Sequence, residues 1–228
     1  MRSKKPNRSF TAALVAALVG ATATSTVAAE AVPTSSHSSS AAVELPQKGG
    51  ARTKPTPDAY EEAAAAALAR FPELADARVE FILRPMKSAF AAARPKPSSL
   101  FKKRRNRRYR VFLNNDPSRL GSSFESLPLE QQIGLLGHEL THVVSYLPKH
   151  GVRIAFFVVC YSISRKFRRK VERTTDVESA DRGFGPQLLE FALAVESNPA
   201  LSERFKDRRR RLYLSAGELQ KAATAPAR

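Results

Sequence analysis

The stretch Ile133-Gly134-Leu135-Leu136-Gly137-His138-Glu139-Leu140-Thr141-His142-Val143-Val144 sets the pattern H-E-x-x-H inside an apolar run. Leu136, Leu140, Val143 and Leu147 recur at helical spacing, which predicts a helix over about 129–147 with one face in the core. Pro128 stands where a first turn tolerates proline, and Pro148 stops the helix. Residues four apart share a helix face, so both imidazoles can reach one ion. Glu139 is rotated by about 100° from His138, which sets it beside such an ion rather than among its ligands. There it can take a proton from water. A buried charge in so apolar a helix is costly unless it has a task. The bland reading is a pair of half-buried histidines. Against it, the chain has four histidines and two fall in this motif.

Downstream, Glu172-Arg173-Thr174-Thr175-Asp176 supplies two acids four residues apart, on one face of a predicted helix. A catalytic metal held by two histidines needs a third protein ligand. Glu172 is the candidate, with Asp176 accepting the outer N–H of a ligand histidine. Glu178 and Asp181 are reserve ligands. The competing reading is that both acids pair with Arg168, Arg169 or Arg173 on a solvated face, where such pairs contribute little.

Around these segments the chain reads as helix, strands, then a helical half: an α+β layout. A helix is predicted over 59–70, where Ala63 to Ala67 are strong formers and Phe71-Pro72 ends it. Arg78 to Leu83 and Arg108 to Leu113 alternate in the manner of half-buried strands. Residues 85–101 read as irregular. Further helices are predicted over 152–165, 170–182, 186–196 and 201–213. Residues 1–31 carry a basic start, an apolar run from Phe10 to Gly20 and small residues around Ala29-Glu30-Ala31. This is the pattern of a secretory signal, and it predicts an exported protein. An uncut anchor and a transit peptide are the rivals. Residues 32–57, rich in Ser, Thr, Pro, Ala and Gly, read as a flexible linker. The single cysteine, Cys160, rules out an internal disulfide and reads as a buried apolar residue.

The formal charge is +17, and +13 without the four basic residues Arg2, Lys4, Lys5 and Arg8. Lys102 to Arg110, Arg165 to Lys170 and Arg204 to Arg211 concentrate it. Singly each cluster reads as a solvated face. Together they could hold an anionic membrane surface or polymer. No nucleic-acid-binding signature accompanies them, so no specific nucleic-acid recognition is expected. Ile154 to Ile163 is almost wholly apolar and too short to span a bilayer. It reads as a core helix, with an interfacial membrane helix as the alternative.

The combination of His138-Glu139-x-x-His142 with Glu172-x-x-x-Asp176 resembles the gluzincin pattern of zinc peptidases. The 29 residues between His142 and Glu172 exceed the gap in thermolysin-type enzymes. They are closer to relatives of the CAAX-processing membrane proteases. Residues 77–217 are also similar to a group of small bacterial zinc-peptidase-like proteins. Arg94-Pro95, Leu127-Pro128, Arg182-Gly183-Phe184-Gly185 and Tyr213-Leu214-Ser215 carry that softer likeness.

The resemblance implies a zincin-like domain over 58–217, with 218–228 as a disordered tail. It implies Zn²⁺ on His138, His142 and Glu172, with Glu139 as general base and Asp176 behind the ligands. It implies a peptide or protein substrate laid along an edge strand, which Tyr109 to Leu113 would match. Tyr146, His150, Arg182 and Tyr213 are candidates for stabilising the oxyanion. The alternatives are a non-catalytic zinc-containing protein that holds an anionic partner on its basic surface, and a zinc hydrolase of another amide.

Overall fold

The computed structural model describes residues 60–224. The export segment at 1–31 and the linker at 32–57 lie outside the described residues. Within them the chain runs α1 (Glu61–Leu68), β1 (Arg78–Arg84), β2 (Ala91–Pro95), β3 (Arg108–Asn114), α2 (Leu129–Tyr146), α3 (Gly151–Ile163), α4 (Arg165–Ser179), α5 (Gly185–Ser197), α6 (Glu203–Leu212) and α7 (Ala216–Thr224). A small sheet followed by a helical half is an α+β fold.

In α1, strong helix-forming alanines leave little side chain in the way. Ala63, Ala64 and Ala67 are buried, and the helix packs closely on α2. The sheet has the order β1-β3-β2. β1 runs parallel to β3, with Val79 opposite Tyr109 and Leu83 opposite Leu113. β2 runs antiparallel to β3, with Ala93 opposite Val111. Val79, Val111 and Leu113 are buried, as alternation along half-covered strands requires.

The sheet departs from expectation in two places. Residues 85–101 are not wholly irregular, because Ala91–Pro95 is a strand. Its sequence, Ala-Ala-Ala-Arg-Pro, offers no β-branched or aromatic residue to announce one; pairing with β3 imposes the extended backbone. Tyr109 to Leu113 is not an edge but the centre of the sheet, paired on both sides. The edge against α2 is β2. Phe90 O accepts from Asn114 N–H and Lys96 N–H donates to Arg108 O. Even-numbered residues of this segment therefore face β3, while Ala91 and Ala93 turn their N–H and C=O outward.

The apolar stripe of α2 buries Leu136, Leu140 and Val143 completely. Gly137 lets Phe184 approach: a Cβ there would stand 2.6 Å from the ring. That ring stacks on Phe71 with centroids 5.7 Å apart. α4 begins at Arg165, earlier than its predicted start, because Ser164 caps it by accepting the Phe167 N–H. After Ser179 a π-helical segment, Ala180–Phe184, leads to Gly183 in the left-handed region at φ 85°, which turns the chain into α5.

Two further boundaries differ from expectation. Residues 218–224 are not tail but part of α7, held by fully buried Leu219 and packed on α5. The segment Ile154–Ile163 is not a core helix. α3 buries Gly151, Ile154 and Ala155, and leaves Val152, Phe156 and Ile163 exposed.

Candidate metal centre

Helices α2 and α4 lie side by side, and their facing sides carry the site. Thr141 Oγ1 donates to the Gly137 carbonyl, and Ser179 Oγ donates to Thr141 Oγ1 at 3.0 Å, tying the helices together behind the histidines. In front of that tie stand His138 and His142 from α2 and Glu172 from α4. One donor atom from each lies within 4.8 Å of the others, and all three residues are buried. His138 Nε2 is 3.1 Å and His142 Nε2 is 3.4 Å from the same Glu172 oxygen. This group could hold a metal ion.

The outer nitrogens decide the tautomers. Asp176 Oδ1 lies 2.9 Å from His138 Nδ1, and a carboxylate can only accept, so Nδ1 carries the hydrogen. Thr175 Oγ1 gives its single hydrogen to the Val171 carbonyl at 2.9 Å. Toward His142 Nδ1, 3.3 Å away, it therefore accepts, and that nitrogen too carries the hydrogen. Both Nε2 lone pairs are thus free and aim at the Glu172 carboxylate, which carries further lone pairs. One buried carboxylate oxygen facing two nitrogen lone pairs calls for a positive charge among them. The same demand shows in His138. Burial alone would lower its pKa, but hydrogen bonds to Asp176 and Glu172 carry it well above the ordinary imidazole range. A divalent cation meets that demand with a full coordination site, so the donor set fits a metal.

Sequence reasoning did not find two further contacts. Tyr161 on α3 donates its phenol hydrogen to the second Glu172 oxygen. Burial, and next the Glu172 charge, hold that phenol far above its usual pKa, so it stays a donor. From β2, the outward N–H of Ala93 donates to Glu139 Oε2 at 2.5 Å. Glu139 stands beside the three donors without joining them. Burial is the main reason its pKa rises, and the nearby histidines offset part of the rise. A tyrosine eleven residues before Glu172 and a main-chain amide have no signal in sequence.

Asp176 binds His138 through one oxygen and accepts the Leu214 N–H at 2.8 Å through the other, which anchors the segment after α6. Glu178 and Asp181 are exposed and stand outside the cluster. Tyr213 lays its ring against His138, with centroids 5.7 Å apart. Tyr146 is buried and stacked on Tyr109. His150 is exposed at the start of α3. Arg182 is engaged elsewhere, pairing with Glu73 at 2.5 Å and covering the Phe71 ring.

A cavity of about 60 Å³ opens beside His138 and Glu139, with Tyr213 on its wall. Phe90, Leu135, Leu188, Phe191, Phe205 and Leu219 make it apolar, and Arg208 and Arg209 close one side. Arg209 is buried although it belongs to a cluster that reads as a solvated face. The one hydrogen bond of its guanidinium among the described residues goes to the Leu214 carbonyl at 3.5 Å.

Comparison with protein-family models, with curated proteins and with solved structures gives no match.

Proposed function

We propose that the protein is a zinc-dependent peptidase of the gluzincin type. The observation that carries this reading is the convergence of His138, His142 and Glu172 with a non-ligating carboxylate, Glu139, at their side. Donors bonded tetrahedrally to one zinc ion at about 2.0–2.1 Å stand about 3.3 Å apart. The separations of 3.1 and 3.4 Å from Glu172 to the two histidines agree with that spacing. Two imidazoles and one carboxylate also leave a fourth position open, the mark of a catalytic rather than a closed structural site.

When bound, zinc would lower the pKa of a coordinated water to about 7 and polarise a carbonyl oxygen. Glu139 accepts the proton of the attacking water on Oε1, since Oε2 is engaged by Ala93 N–H. A carboxylate at this place can take the proton and return it to the leaving amine. Tyr213, whose ring lies against His138, is the phenol we assign to the developing oxyanion. The outward main chain of Ala91 and Ala93 gives an extended peptide an edge to pair with. An apolar side chain beside the scissile bond would enter the cavity of Phe90 and Leu188, with Arg209 at its wall.

Glu139→Gln tests this reading, because it removes the base and keeps the donor set. Peptide hydrolysis should fall roughly 10²–10⁴-fold while the metal content stays stoichiometric. Hydrolysis at the wild-type rate would remove Glu139 from the mechanism. No hydrolysis by the zinc-loaded wild type on a mixed peptide library would favour the non-catalytic, zinc-holding alternative. Absence of stoichiometric metal from the purified protein would end both.

A further inference from the structure

One helix has a surface that the site does not use. α3 has the sequence Gly-Val-Arg-Ile-Ala-Phe-Phe-Val-Val-Cys-Tyr-Ser-Ile. Val152, Phe156 and Ile163 are 63 %, 65 % and 77 % exposed. At about 100° per residue these three positions, with the partly buried Val159, fall within an arc of about 60°. They form one apolar stripe along the whole helix. Phe101, itself 49 % exposed, adds apolar surface near the N-terminal end of the helix, where its ring lies against Gly151. An apolar stripe of this kind on a surface marks a place where something docks.

The charges around the stripe say what docks. Between Glu139 and Glu172 the sequence contains no acidic residue. Lys102, Lys103, Arg104 and Arg105 are exposed beside the start of α3, and Arg104 is fastened there to the Pro148 carbonyl at 2.6 Å. Arg153 is exposed on the helix itself. Arg165, Lys166, Arg169 and Lys170 are exposed just beyond its C-terminal end. None of these nine cations forms an ion pair among the described residues. An acidic polymer would use the cations but has nothing to offer Phe156 and Ile163. A bilayer with anionic headgroups satisfies both, with acyl chains for the stripe and headgroup charge for its ends. At thirteen residues α3 is about 20 Å long, too short to cross a bilayer and suited to lying in its surface.

We infer that α3 docks the protein on an anionic lipid bilayer, with Val152, Phe156 and Ile163 in the acyl region and the flanking Lys and Arg residues on the headgroups. The opposite side of the same helix carries Tyr161, which holds Glu172. The metal centre therefore sits about one helix diameter, ~10 Å, above the lipid surface.

The chain contains no tryptophan, so Phe156→Trp gives a single reporter inside the stripe. With vesicles containing phosphatidylglycerol its emission should shift to the blue and be quenched by brominated acyl chains. Neither change should occur with pure phosphatidylcholine. Added salt should weaken the response, because the cations act through screened attraction. In flotation, Phe156→Ser with Ile163→Ser should weaken binding at least about tenfold. Both positions are exposed, and an unchanged metal content reports an intact fold. An emission maximum that ignores anionic vesicles would overturn the inference. So would a maximum already blue-shifted without lipid, since another part of the chain or a second copy would then cover the stripe. Full vesicle binding by the serine variant would mean that charge alone makes the contact, and would equally reject it.

Discussion

Asp176 Oδ1 lies 2.9 Å from His138 Nδ1, while its other oxygen accepts the Leu214 N–H at 2.8 Å. One buried carboxylate thus fixes both the tautomer of a histidine in the candidate metal centre and the course of the chain after α6. Such outer contacts commonly set metal affinity within one to two orders of magnitude. Asp176→Ala should therefore weaken zinc binding about 10–100-fold in a competition titration with a chromophoric chelator. Equal affinity in the variant would show that His138 needs no outer partner.

Tyr161 reaches Glu172 from a third helix, and its phenol stays protonated. Tyr161→Phe keeps the ring, which packs near Phe157, and removes only the donor. Losing a hydrogen bond to a buried charged group costs about 1.5–3 kcal/mol. The variant should lose stability of that order in urea unfolding, and zinc should rescue part of it. A variant as stable as the wild type in both forms would deny Tyr161 a role in holding Glu172.

Held by His138, His142 and Glu172, a zinc ion would stabilise the folded state in proportion to ligand excess, because unfolding separates those groups. At free metal a hundredfold above the dissociation constant this amounts to about 2.7 kcal/mol. Chelation should lower the melting temperature measurably, and restored zinc should raise it again. A melting temperature indifferent to chelator in a protein that had carried zinc would place the ion outside the folded core.

Gly137 has no room for a side chain, because the Phe184 ring occupies the space where a Cβ would stand. Gly137→Ala must push α2 away from the Phe184–Phe71 stack. Overpacking of this kind costs about 1–3 kcal/mol. Because His138 is the next residue, zinc affinity should fall together with stability. Loss of neither would mean that Phe184 rotates aside freely.

Glu218 on α7 is paired with Arg173 on α4 and caps its own helix through Ser215. The Arg173 guanidinium is the main reason its carboxyl is held down at about 2, below the ordinary 4.5. A depressed folded-state pKa adds stability that is complete above about pH 4.5 and lost as the pH falls toward 2. The side chain is 45 % exposed, so screening keeps the contribution to about 1 kcal/mol or less. Glu218→Gln should flatten the acid limb of the stability curve in that window and leave its slope above pH 5 unchanged. An unaltered acid limb would show that the Arg173 pair adds nothing in solution.

The sequence by itself determined the H-E-x-x-H helix, strands β1 and β3 and the acids of α4, because each is written in a local period. Apolar residues every three to four positions specify α2, alternation specifies β1 and β3, and a spacing of four puts Glu172 and Asp176 on one face. Tertiary structure alone decided the rest. Ala91–Pro95 is a strand because β3 offers it hydrogen bonds, not because its alanines prefer to be extended. Ala93 N–H and Tyr161 reach the site from elements whose approach no local period encodes. Apolar on every side, α3 gives no sign in its own residues of which face finds a partner. Burial depends on what the folded chain can bring against a surface, and here it covers Ile154 and Ala155 and leaves Phe156 in the open.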